Sequence, residues 1–166
     1  MGRFSVLLLA GALWLCAAAQ ETGWRPATDL ELSNVIPARA SVEKERIETE
    51  TRTASGITDG KHFVAGVVLI TAGYSAEGKY SHYFLTQVRL QIGDMELKPG
   101  EYVFGWRHNG DSLDVMFYQA HTGKPVGNVE ARRMSRVGRV ESFHISAPAE
   151  KSTIQIGRFA FPYEIR

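Results

Sequence analysis

The side chains with most scope for chemistry in this chain are its histidines and tyrosines. Five histidines, His62, His82, His108, His121 and His144, raise the question of a metal. None stands at a recognisable ligand spacing from another. His108 and His121 lie about ten strand residues apart, roughly 30 Å at about 3.3 Å per residue, too far to share an ion. The five therefore read as scattered polar or capping residues, with no metal and no other cofactor implied. Four tyrosines are more suggestive. Tyr74, Tyr80, Tyr83 and Tyr118 fall near turns or on strand faces opposite the expected core. An exposed ring there can stack on a sugar or anchor a protein partner, although a domain of this size also needs aromatics to cover its core edges.

Two four-residue matches concern hydroxyl nucleophiles. Gly110-Asp111-Ser112-Leu113 resembles the GDSL hydrolase signature, and the resemblance implies Ser112 as a nucleophile served by an Asp-x-x-His base pair near the C-terminus. In that family the motif sits where a strand gives way to a helix. Here it sits in a hairpin turn, and the one Asp-x-x-His, Asp59 to His62, precedes it. Ser41-Val42-Glu43-Lys44 has the Ser-x-x-Lys form of penicillin-interacting enzymes, and His121-Thr122-Gly123 echoes their Lys-Thr-Gly strand, but those enzymes need a longer chain with a helical region around the serine. No catalytic residue is assigned. A small secreted hydrolase using Ser112 stays as an alternative.

The element that must position these groups is Glu101 to Ala120, a β-hairpin. Asn109-Gly110 is the favoured pair for a two-residue type I′ turn. A loop at these two residues pairs Trp106 with Leu113, Phe104 with Val115 and Tyr102 with Phe117, giving one apolar face on which Trp106 is a buried core aromatic. The other strands follow from pattern. His62 to Tyr74 is nearly continuous in Val, Ile and other apolar residues, as in a strand covered on both sides, though a buried helix has the same look. Tyr80 to Ile92 puts Phe84, Val88, Leu90 and Ile92 on one face and a partly wet mixture including Tyr83 and Leu85 on the other. Met95 to Leu97 is a short strand. Val126 to Met134 and Val140 to Ala147 follow, and Thr153 to Ile165 is a last strand with a bulge near Gly157-Arg158.

Short strands joined by turns of two to five residues indicate an all-β domain. The expected architecture is an antiparallel β-sandwich of about seven or eight strands, immunoglobulin-like or transthyretin-like, with a small up-and-down β-barrel as the alternative. The run Gly93 to Phe104 resembles the Leu-x-Pro/Ala-Gly-x-Tyr hairpin entry of secreted bacterial β-domains of unknown function and of carbohydrate-binding-like and prealbumin-like modules. That resemblance covers about a dozen residues and implies fold and bacterial export, with no functional residue carried over.

Residues 1–19 read as an export signal: Arg3, an apolar run from Phe4 to Cys16, then Ala17-Ala18-Ala19. Cleavage there removes Cys16, the one cysteine, whose Leu13-Trp14-Leu15 approach is a poor match to a lipid-anchoring signal. It also removes Arg3, which leaves the 18 acidic residues balanced by the remaining basic ones, so neither nucleic acid nor a membrane surface is favoured. Residues 20–55 read as an arm. Thr28-Asp29-Leu30-Glu31 has the form of a capping box, Pro37 stops any helix, and Ile47 to Thr53 is an exposed edge strand or flexible segment. The β-domain is placed at 56–166. Together these features point to an exported, periplasmic or extracellular, non-enzymatic module that binds a protein or glycan. Besides the Ser112 hydrolase, a barrel carrying a small apolar ligand is the other alternative.

Overall fold

A computed structural model describes residues 23–135 and 139–166. The export signal expected over residues 1–19 lies outside the described residues. Strand accounts for 57% of the structure and helix for 5%, so the protein is all-β as expected.

After β1 (Arg25–Pro26), Thr28 caps α1 (Asp29–Val35). The Thr28 hydroxyl accepts the Glu31 amide, and the Glu31 carboxylate accepts the Thr28 amide, which completes the capping box. The helix ends at Ile36, held in an extended conformation because it precedes Pro37. Then come β2 (Arg39–Val42), β3 (Glu45–Thr58), β4 (Phe63–Leu69) and β5 (His82–Thr86). A small hairpin, β6 (Leu90–Ile92) and β7 (Met95–Leu97), precedes β8 (Gly100–Asn109), β9 (Ser112–Gln119) and β10 (Pro125–Arg133). The chain finishes with β11 (Glu141–Ile145), β12 (Thr153–Gly157), β13 (Phe159–Pro162) and β14 (Glu164–Ile165).

One antiparallel sheet runs in the order β1-β3-β4-β5-β8-β9-β10-β13-β12-β11, with β2 added to β3. It curls until β11 lies against β3, so the sheet is nearly closed into a barrel and the expected sandwich does not form. The reason is connectivity. Most neighbours in the ladder are also neighbours in sequence, which builds one continuous sheet, whereas a sandwich divides its strands between two. Ser55 pins the seam: its hydroxyl accepts the Ile145 amide at 2.9 Å and sits 3.4 Å from His144 Nδ1.

Two apolar clusters result. The barrel interior is filled by side chains including Phe84, Phe104, Phe117, Phe143 and Phe161, and the sheet β14-β6-β7 adds Leu90, Ile92 and Leu97 to it at one end. The second cluster lies outside the barrel, where Leu32 of α1, Ile36 just after it, Ala40 and Val42 of β2 and Ile47 of β3 cover the outer faces of β4, β5 and β8. This cover corrects several expectations. Residues 23–55 are no loose arm, and the boundary at residue 56 falls inside β3. Ile47 is buried and β3 is flanked on both sides, so that segment is not an exposed edge. Strand β5 is buried on both faces, the side with Tyr83 and Leu85 included. β4 is likewise covered on both sides, as its continuous apolar run suggests.

The central hairpin forms, but its loop is Gly110-Asp111, with Asn109 opposite Ser112 and Phe104 opposite Phe117. Gly110 has φ +59° and Asp111 is not left-handed, the type II′ pattern in place of the expected type I′. The shift of two residues keeps every side chain on its expected face. At Gly157-Arg158 the chain turns back on itself: Ile156 pairs with Phe159, so β12 and β13 are a hairpin where a bulged single strand is expected.

Candidate functional site

The tyrosines singled out by sequence are placed on the lateral face of the barrel, and each hydroxyl is held. Tyr80 is buried and donates to Glu43 Oε1 at 2.5 Å, the oxygen that also accepts from Lys79 Nζ at 2.8 Å. Tyr83, wholly buried, donates to Glu101 Oε1 at 2.6 Å, and His121 pairs with the other oxygen of that carboxylate. Tyr74 donates to Glu48, which also pairs with Arg39. Tyr118 packs edge-to-face on Tyr80, with ring centroids 5.2 Å apart, and Lys79 Nζ lies over both rings. The hydrogen bonds from Lys79 and Tyr80 hold the Glu43 carboxyl below its usual range, and burial followed by the Glu101 bond pushes the Tyr83 phenol up. These groups form a polar clasp over the second cluster. Tyr80 and Tyr83 are therefore not exposed stacking platforms, a correction that follows from the cover supplied by α1, β2 and β3.

Ser112 is buried, and its hydroxyl donates to the Asn109 carbonyl inside the turn at 2.9 Å. Asp59 and His62 do contact each other at 3.0 Å, but in the β3–β4 turn. That turn is at the Thr86–Gly100 end of the sheet, nine β8 residues from Asn109, roughly 30 Å away at about 3.3 Å per residue. The geometry thus keeps the nucleophile and base of the hydrolase resemblance apart.

The arrangement that sequence reading missed is at the free end of the central hairpin. β5 begins at His82, opposite Phe104, so beyond Phe104 strand β8 is paired only with β9. The inward face of β8 continues past the rim as Trp106 and His108. Trp106 is 39% exposed, against the expectation that it is a buried core aromatic. Its ring stands perpendicular to His108 at 5.4 Å, His108 meets Phe159 of β13 at 6.0 Å, and the Arg133 guanidinium lies over Phe159 at 5.4 Å. Cross-strand register explains the grouping: His108 is opposite Leu113, Leu113 opposite Ala131, and Arg133 opposite Phe159. Three elements thus place aromatic and cationic side chains at one level of the barrel mouth. Gly105 marks the rim itself, because a Cβ there would come within 2.1 Å of the Lys79 carbonyl. The available signal was length: the inward-facing pattern of β8 outruns that of the strand that pairs with it.

Directly beneath the rim, His82 is buried, stacked on Phe104 at 4.6 Å, with Nδ1 2.8 Å from the Ser81 hydroxyl and Nε2 without a partner. Burial pushes its pKa down to about 4, against a smaller opposing pull from the Ser142 main chain. Elsewhere, an open cleft of about 700 Å³ lies between α1 and β3, lined by Leu32, Ile36, Ala38, Thr51 and Arg52 among others. Among the described residues, no three His, Cys, Asp or Glu side chains are gathered as a metal would need, and no helix is long and apolar enough to cross a membrane. Compared with protein-family models, curated proteins and solved structures, the chain matches none.

Proposed function

We propose that this chain is an exported, non-enzymatic binding module that receives a protein or glycan at the open rim of its barrel. The observation that carries this reading is Trp106: a large aromatic, exposed at 39%, held in a row with His108 and Phe159 while the rings just below it are sealed in the core. A part-exposed ring continued by His108 and Phe159 offers a partner one apolar contact edge, which a singly exposed side chain does not. Export is supported by the sequence of residues 1–19, and the resemblance of Gly93 to Phe104 to carbohydrate-binding-like modules points the same way.

Two competing readings have less support. A carrier of a small apolar ligand needs an internal cavity, whereas Phe84, Phe104, Phe117 and Phe161 occupy the interior at full burial. A hydrolase at Ser112 needs a base, and the hydroxyl is committed to a turn carbonyl. Isothermal titration of the full chain and of Trp106→Ala against polysaccharide and envelope-protein pools tests the proposal. Binding is expected to weaken at least tenfold in the variant; wild-type binding would remove the rim as the contact surface.

A further inference from the structure

We infer that the rim takes an anionic saccharide, one carrying carboxylate or sulfate groups, with Trp106 stacking on a sugar ring and Arg133 pairing with the anion. This rests on the rim reading above and narrows its ligand. The first argument is size. A stable protein interface takes roughly 800 Å² and 20–30 residues from each partner. The ordered feature here is four side chains from β8, β10 and β13, the scale of one or two sugar units. The second is chemistry. Aromatic faces receive the C–H face of a sugar ring, and Trp106, His108 and Phe159 form a continuous edge-to-face row for it.

The third argument is charge. Arg133 has its guanidinium over the Phe159 ring, which holds the plane while leaving its N–H edge free, and no carboxylate pairs with it among the described residues. A planar fork so held suits two-point recognition of a carboxylate or sulfate. The nearby acidic groups are largely engaged: Glu130 pairs with Arg132 at 3.0 Å, and Asp114 accepts from Asn128 at 2.9 Å. Asp111 stands at the turn, and Arg107 lies on the outer face of β8 opposite Asp114. The site therefore offers an anion one well-placed cation beside an aromatic platform.

Three probes of matched length separate the possibilities: polygalacturonate, dextran sulfate and neutral dextran, titrated into the full chain at physiological salt. At least one anionic polymer is expected to bind tenfold or more tighter than neutral dextran, and which one does so distinguishes carboxylate from sulfate. Arg133→Gln should remove that preference, Arg133→Lys should restore it only in part, and Arg46→Gln, at an exposed position of β3, should leave it intact. Trp106→Ala should weaken all three. Equal losses in Arg46→Gln and Arg133→Gln would mean general charge attraction and overturn the inference. Equal binding of neutral and anionic polymers, lost in Trp106→Ala, would overturn the anionic class while sparing the rim. Retention of none of the three would overturn the saccharide assignment altogether.

Discussion

The lateral face and the rim are built from the same materials, tyrosine or tryptophan rings, a histidine and a long cation, and the β8–β9 hairpin contributes to both. They differ in what covers them. On the lateral face, α1, β2 and the first half of β3 close over the sheet, and the polar ends of Tyr80 and Tyr83 have glutamates as partners. At the rim β5 has ended, so that β8 is paired only with β9 beyond Phe104, and Trp106 stays 39% exposed beside His108 and Phe159. Residue type alone thus does not separate a structural aromatic from a contact aromatic. The deciding quantity is cover: a second layer over the lateral face, and at the rim the point where β5 ends.

The comparison breaks first at Tyr83. Replacing this fully buried ring by Ala should destabilise the fold by about 3–5 kcal/mol, the cost of a lost core aromatic plus an uncapped Glu101. Urea unfolding measures it. A near-neutral result would mean the lateral face is open like the rim.

A second test lies one step below the rim, where His82 is sealed. Its folded pKa of about 4 is depressed from 6.5, so the unfolded chain takes up a proton that the folded protein refuses. Stability is then complete above about pH 6.5 and falls as the pH drops toward 4, by up to about 3 kcal/mol. Glu31, Glu43 and Asp59, whose carboxyls are held low by hydrogen bonds and ion pairs, begin to add their losses as the pH falls through the ordinary carboxylate range near 4.5, at the lower end of this window. His82→Phe should flatten the curve between pH 6.5 and 4.5. An unchanged acid slope would place His82 in contact with water, moving the open zone below Phe104.

The boundary between the sealed and open zones is Gly105. Gly105→Ala should cost about 1–3 kcal/mol, because a Cβ 2.1 Å from a main-chain oxygen forces the Lys79–Tyr80 segment away from β8. Thermal unfolding showing no loss would indicate that this segment is free to move and that the rim starts lower.

Much of the fold was legible because it depends on short-range signals. The capping box at Thr28, the stop at Pro37, the continuous apolar run of β4 and the facing of every residue in the central hairpin all follow from local spacing. What was not legible depends on distant segments. Whether Tyr83 faces water is decided by Leu32 and Ile36, about fifty residues away, and a stretch such as Ile47 to Thr53, with one apolar residue among Thr and charge, gives no hint that Ile47 belongs to a second layer covering the sheet. Gly157 illustrates the same limit at close range: a bulge and a two-residue turn both use a glycine at positive φ, and only the pairing of Ile156 with Phe159 chooses between them.

The smallest effect is the most informative. On sequence pattern Trp106 belongs to the hairpin's core face, and its removal should then rank among the worst substitutions. In the structure its ring is 39% exposed and projects beyond the last residue of β8 that β5 covers, so little apolar surface is lost from the core when it is truncated. Burial scales with area removed from water, and a part-exposed ring with one edge contact, to His108, contributes less than Phe104 does. Trp106→Ala should therefore cost about 1–2 kcal/mol in urea unfolding, below Tyr83→Ala, while binding at the rim is lost. A cost of about 3 kcal/mol or more would reverse the assignment. The tryptophan would then be holding the mouth of the barrel closed, and the site would have to be sought at another surface, with the cleft beside α1 the next to probe.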